Sequence, residues 1–207
     1  MMKHTLLILM LLICGMSASA QLTLKSDKGD FEARLIGRAL FDGGVFFSDK
    51  TSLGNAVEVY DVRVGTVVRF LERWTGKIEM GFAKSKVSMK DIYIEYNDGK
   101  NLFRIGHCYE PFSLEYRIGT SDMKFNGAAV TGIAFGDRRR LGIIYTYNCD
   151  VLNVSGGVFS DKDIDNTEKG DEGYAFSGRV LFRPYSKEKN VIHVGVSSRF
   201  GVQGEAE

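Results

Sequence analysis

The 207-residue sequence predicts an all-β chain, an antiparallel transmembrane β-barrel, and three observations lead there. Beyond residue 30, apolar and charged residues alternate at every second position through most of the chain. The alternating runs approach ten residues and are joined by short and long connections in turn. A leader-like apolar segment stands in front of them, as in an exported protein.

The elements follow in order. In 31–45 the odd positions Phe31, Ala33, Leu35, Ala39, Phe41 and Val45 are apolar, while Glu32, Arg34, Arg38 and Asp42 occupy even ones. A helix would not separate the two classes at every second residue. In 56–70, Val62, Val64, Val68 and Phe70 oppose Asp61, Arg63 and Arg69. In 74–82, Trp74, Ile78, Met80 and Phe82 oppose Lys77 and Glu79. In 89–97, Ile92, Ile94 and Tyr96 oppose Asp91, Tyr93 and Glu95; Lys90 breaks the pattern and is read as lying near a strand end. Asn97-Asp98-Gly99-Lys100 is a tight hairpin signal, because Asp-Gly tolerates positive φ. Residues 102–110 follow, with Phe103, Ile105 and Tyr109 opposite Arg104 and Glu110. After an irregular stretch, Leu141, Ile143, Tyr145 and Tyr147 form the next apolar face, and 151–159, 174–183 and 191–200 complete nine candidate strands. Short connections at 72–75, 98–100 and 186–189 alternate with long ones at 48–55, 112–138 and 160–173.

A soluble β-sandwich or soluble barrel also alternates, with its apolar face inward, so periodicity alone leaves both open. The face holding Arg, Asp, Glu and Gly would line a wet lumen in one case and meet bulk solvent in the other. Export, strand length and the asymmetry of the connections favour the membrane.

Composition sets further bounds. At 44% hydrophobic, 26% charged and 12% aromatic, with 2 Pro, the chain is neither disordered nor a Pro-rich linker. Residues 1–20 read as a signal peptide: Lys3 gives a basic start, Leu6 to Cys14 an apolar run, and Ala18-Ser19-Ala20 a small-x-small cleavage site. A lipoprotein reading through Cys14 meets Ile13 where a small residue is expected. Cleavage removes one basic residue and no acid, leaving 26 of each sign and no general case for nucleic acid. Residues 21–30 are a lead-in and 31–207 the barrel domain. Cys108 and Cys149 could pair in an oxidising compartment, but two cysteines are no disulfide framework.

Several segments, taken in order, resemble the phosphate-selective porin O and P family. They are Gly37-Arg38-Ala39-Leu40-Phe41-Asp42-Gly43-Gly44-Val45-Phe46-Phe47, the run from Lys86 to Tyr96, and the run from Arg104 to Glu115 with its Arg-Ile-Gly entry and Glu-Pro-Phe. Arg139-Arg140-Leu141-Gly142-Ile143 and Lys169-Gly170-Asp171-Glu172-Gly173-Tyr174 continue the order, so that the resemblance covers most of 31–186. It implies a trimeric, 16-stranded outer-membrane channel for phosphate or related anions, surrounded by outer-membrane lipid, with an inward-folded loop and basic side chains guiding the anion. The constricting loop would fall at 112–138. Lys124-Phe125 matches the family's basic-aromatic segment, but Asn126-Gly127-Ala128-Ala129 departs from its charged continuation. Nine strands cannot make that barrel, and bacterial single-chain barrels normally have an even number. The expectation is therefore a porin-type barrel incomplete in this chain, an N-terminal portion or truncated relative, or else a tenth strand within 123–135.

The candidate anion path comprises Arg34, Arg38, Arg63, Arg69, Lys77, Arg104, Arg179, Arg183 and Arg199 on the charged faces, with Lys124, Arg138, Arg139 and Arg140 flanking the long loop. Arginine suits phosphate because its planar donors reach two oxygens at once, and several rungs let an anion move without being trapped. Glu32, Asp42, Asp61, Glu79, Asp91, Glu95 and Glu110 share those faces, so cross-strand pairing is the competing reading. Arg138–Arg140 also read as an ordinary solvated charge run.

Asp161, Asp163, Asp165 and Glu172 have most of the ligand spacing of a calcium loop, although Asn166 replaces the turn glycine and an acidic exterior loop is simpler. His107 and His193 read as structural. Ser155-Gly156-Gly157 and Ser197-Ser198 lack a nucleophile elbow, and the glycine-rich stretches lack nucleotide-binding spacing, so neither an enzyme nor a cofactor is expected. A non-transporting barrel, or an exported sandwich with a binding or envelope role, is the alternative.

Overall fold

The computed structural model describes residues 18–45, 54–83, 86–113, 139–162, 164, 173–187 and 190–204. They form ten strands: β1 (Ala18–Lys25), β2 (Phe31–Gly44), β3 (Ala56–Phe70), β4 (Trp74–Gly81), β5 (Ser88–Asn97), β6 (Asn101–Tyr109), β7 (Arg139–Asn148), β8 (Leu152–Ser160), β9 (Tyr174–Lys187) and β10 (Asn190–Val202). They make a single sheet in sequence order, β1 through β10, with every neighbouring pair antiparallel. The sheet is an open arc of barrel wall, with β1 and β10 at its two edges.

The sequence reading located nine of these strands and missed β1. That strand takes up the end of the leader and the lead-in, and pairs Gln21 with Ile36 and Lys25 with Glu32. Only Leu22 and Leu24 alternate there, too short a run to register as periodicity. The alternative site for a tenth strand, 123–135, lies outside the described residues, as does most of the expected constricting loop.

Short connections all fall at one end: 26–30, 71–73, 98–100, 149–151 and 188–189. The longer ones, 45–55, 82–87, 110–138 and 161–173, fall at the other. The 98–100 turn needs one positive φ, Gly99 at 97°. The Asp98 carboxylate completes it, accepting from the backbone N–H of Lys100 at 3.0 Å and Asn101 at 2.6 Å. Those donors, Asn101 first, hold the Asp98 carboxyl below its ordinary value. A lowered folded pKa means that the carboxylate's contribution to the hairpin is complete above the unfolded value, about 3.9, and is lost as pH falls through the folded one. In a detergent-solubilised NMR titration, the Asn101 amide is expected to report a midpoint below 3.9; a midpoint at or above it would contradict this turn.

The two faces have opposite character. One is apolar and exposed from end to end: Leu35, Phe41, Val64, Ile78, Ile94, Ile105 and Phe176 all lie open, with Ile143 at 56% and Phe200 at 64%. The other shields its polar groups, and Asp61, Glu79, Glu110, Ser155 and Ser177 are buried. A sheet shelters the face toward which it curls, so the charged face is the inner one. Among the described residues the buried apolar cluster is Cys108, Ile144 and Phe159, with Tyr93 against it. Burying one large apolar side chain is worth about 1.5–3 kcal/mol, so a continuous outer face of them needs lipid rather than water. A soluble sandwich would invert these faces.

Outer aromatics mark the boundaries of the apolar band. Phe31, Phe70, Trp74, Tyr96, Phe103 and Tyr145 are consecutive register partners across β2–β7, beside the short turns. Trp74 meets Tyr96 edge-on with centroids 5.3 Å apart, and Phe103 meets Tyr145 at 4.7 Å. The hydroxyls find polar partners: Tyr145 donates to Asn101 and Tyr96 accepts from Arg73. This is the arrangement of a girdle at a membrane–water boundary. Phe41 begins the opposite band on β2. Its separation from Phe31, at ~3.3 Å per residue and a tilt of ~40°, corresponds to a height of about 25 Å, the span of such a wall.

Three irregularities re-aim side chains. Between Leu40 and Phe41 the register with β3 admits an extra residue, Tyr60, so that Val57 and Val59 face out while Asp61 and Arg63 face in. Between Ile78 and Met80, β5 places both Lys90 and Asp91 opposite Glu79. Between Ile192 and Val194, Arg183 and Pro184 together oppose His193, a bulge that accommodates proline's missing N–H.

Candidate functional site: a charged inner wall

The inner face carries a chain of alternating charges running across the strands. Arg38 of β2 donates to Asp61 of β3 through Nε at 3.0 Å and a terminal nitrogen at 2.7 Å. Asp61 also accepts from Arg63 Nε at 2.9 Å, and Arg63 lies 3.7 Å from Glu79 of β4. Lys77 sits between Glu79 at 3.3 Å and Asp91 of β5 at 2.7 Å. Asp91 accepts in turn from Arg139 Nε of β7 at 2.6 Å, while the Arg139 guanidinium covers the Tyr109 ring at 3.9 Å and donates to its hydroxyl. Each carboxylate is thus held between two cations, which is the usual way a sheltered charge is tolerated.

Lys90 belongs to this wall as well. The β5 bulge turns it inward, where Arg63 and Arg139 repel it and Asp61 and Glu79 attract it. Among the described residues it forms no ion pair within 4 Å, unlike Lys77 on the neighbouring strand. The position of Lys90 near the start of β5 is as expected from sequence, but its inward direction is not, because the bulge puts an inward residue at an outward parity.

A second cluster closes the long-connection end. Glu110, with its side chain 3% exposed, lies 3.0 Å from Arg140 Nε of β7 and 3.0 Å from Arg199 Nε of β10. Asp161, just after β8, is 3.1 Å from Arg199 and 3.6 Å from Arg140. The same two arginines therefore hold the starts of both long connections, 110–138 and 161–173. Pro111 beside Glu110 is fully buried, so the chain leaving β6 begins its course against the inner face.

The remaining sequence candidates are distributed as follows. Arg104 donates to Glu95 at 2.8 Å and covers the Tyr93 ring at 4.2 Å. Among the described residues Arg34 has only a long contact with Glu32, 3.9 Å. Arg183 donates to Asn148 Oδ1 at 3.1 Å and to the Cys149 carbonyl at 2.7 Å, fastening the β7–β8 turn. Arg69 is exposed opposite Glu32 and Thr75, and Arg179 stands opposite Ser155 and Ser197; neither has an ion pair within 4 Å among the described residues. Arg139 and Arg140 are embedded in ion pairs rather than solvated as a charge run. Lys124 and Arg138 lie outside the described residues.

Of the calcium candidates, Asp161 is committed to two arginines, while Asp163, Asp165 and Glu172 lie outside the described residues. His107 is buried with Nδ1 2.6 Å from the Lys90 carbonyl oxygen, and His193 is exposed. Cys108 and Cys149 are both free thiols, so the pairing open to them in sequence is not made. A groove of about 330 Å3 runs from the buried Pro111 towards the short turns, past Asp91, Tyr93, Arg104, Thr146 and Asn153.

Residues 43–201 match the family model described as phosphate-selective porin O and P. No curated protein matches the chain.

Proposed function

The chain belongs to the phosphate-selective porin O and P family, and from that membership we propose that it provides a passive path for anions across the bacterial outer membrane, with phosphate the preferred solute. A channel of this class performs no covalent chemistry. Selectivity comes from fixed charge, donor geometry and width along a wet inner wall.

The observation that carries the reading is the charge balance of the inner wall. Among the described residues, the ion-paired chain from Arg38 to Arg139, taken with Lys90, sets five cations against three carboxylates. The carboxylates keep each arginine from becoming a deep trap, while the excess positive charge favours anions over cations. The buried root at Glu110–Pro111 supports a constricting loop in 112–138, to which Lys124 and Arg138 would contribute. Arg34, Arg69, Arg179 and Arg183 add positive charge elsewhere on the inner face. Export by residues 1–20 would leave Gln21–Lys25 to pair with β2, and a homotrimer would bury part of the apolar outer face.

The test is the reversal potential of membrane-extracted protein in a planar bilayer under a potassium chloride gradient, followed by phosphate added to the same channels. An anion-selective current reduced by phosphate is the expected result. A cation-selective or phosphate-insensitive current would retain the barrel and remove the anion assignment.

A further inference from the structure

We propose that Lys90, aimed inward by the β5 bulge, is the seat at which a multivalent oxyanion pauses on the inner wall, with Arg63 and Arg139 as its flanking donors. The inference rests on the anion-path reading above and names where on that path discrimination occurs.

Three features single out this residue. Its neighbours along the wall are each held by carboxylates: Arg63 has Asp61 and Glu79, Lys77 has Glu79 and Asp91, and Arg139 has Asp91. Among the described residues Lys90 joins them without an ion pair, so the wall's excess charge is available at its ammonium group. An ammonium with three rotatable donors can follow an anion as it moves, whereas the flanking guanidinium groups are fixed by their carboxylates.

The surroundings leave room for it. Gly81 of β4 faces Lys90 across the bulge, and a Cβ at Gly81 would come 2.6 Å from Lys90 Cε and 3.0 Å from Ser88 Oγ. Any side chain there would push the lysine out of its present course. The bulge is equally specific: one residue fewer in β5 would pair Glu79 with Asp91 alone and turn the lysine to the lipid side. A sheet irregularity that turns a charged side chain toward a path, opposite a glycine that clears its stem, is geometry fitted to a ligand.

The experiment compares wild type, Lys90→Gln, Lys90→Arg and Gly81→Ala in planar bilayers, measuring chloride conductance and the half-blocking concentration of inorganic phosphate and of sulfate. Loss of one charge-assisted contact is expected to raise the half-blocking concentration about tenfold in Lys90→Gln. Lys90→Arg is expected to stay within about twofold, because charge and donors are kept. Gly81→Ala keeps the lysine but displaces it, and is expected to weaken phosphate block while chloride conductance stays near wild type. It therefore decides the matter if Lys90→Gln does not assemble. Unchanged block in Lys90→Gln or in Gly81→Ala overturns the seat while leaving an anion channel in place. Wild-type channels that prefer cations or ignore phosphate overturn the anion-path reading itself, and the seat with it.

Discussion

Ile143→Arg is expected to prevent stable assembly in the membrane, while Thr146→Arg on the same strand is expected to be accepted. Ile143 lies on the outer face in an apolar row of register partners, Ile94, Ile105, Ile143, Val158, Phe176 and Phe200, spanning β5 to β10. Arginine on the lipid face of a barrel costs about 2–4 kcal/mol at mid-depth, before the lost isoleucine contact is counted. Thr146 lies on the inner face and lines the groove beside Arg104, where an added guanidinium meets water. In a water-soluble sheet with the same coordinates, an exposed Ile→Arg change would fall within roughly ±0.5 kcal/mol. The pair of variants therefore reads the solvent of each face directly. The measurement is the urea midpoint of heat-modifiable, vesicle-inserted protein. Equal midpoints for the two variants would contradict the inverted arrangement on which the functional reading depends.

Much of this inversion was legible in the sequence, because a period of two is a local property. The runs 31–45, 56–70 and 74–82 fall almost on β2, β3 and β4, and the Asp98-Gly99 turn was read at its place. The turn closes by a different device, however: the Asp98 side chain supplies the acceptors, and only Gly99 takes positive φ. What periodicity cannot carry is an extra residue. Tyr60, Lys90 and Pro184 each shift the parity of part of a strand; Lys90 does lie near the start of β5, but alternation does not show that the bulge turns it inward. Pairing was also hidden. Arg38 reaches Asp61 over 23 positions, Arg139 reaches Asp91 over 48, and Arg199 reaches Glu110 over 89. Those separations are set by strand order and stagger, neither of which alternation encodes. The family resemblance identified the kind of wall, while the partition into paired and unpaired cations came only with the register.

The second large effect is expected at Glu110. It is the most sheltered of the inner-wall carboxylates, and two guanidinium groups from strands three positions apart converge on it. Removing one partner of a buried ion cluster leaves uncompensated charge and typically costs 3–5 kcal/mol. Asp161 stays in contact with both arginines, so the lower part of that range, about 3 kcal/mol, is expected for Glu110→Ala. For a chain of this size that corresponds to a drop of roughly 6–12 °C in the temperature of heat-modifiable unfolding. Glu110→Gln keeps the shape and one acceptor but loses the charge, and should fall between Ala and wild type. The effect on current distinguishes an anchor from a merely stabilising residue. If Glu110 fixes the start of a constricting loop, the channels that do assemble from Glu110→Ala should differ from wild type in unitary conductance and in open-channel noise. If it only holds the wall together, fewer channels should form with unchanged unitary conductance. Arg199→Ala should reproduce the Glu110→Ala conductance, and the double variant should add little to either, because both remove the same contact. Additive effects would place the two residues in separate roles and leave the loop root held by Arg140 alone.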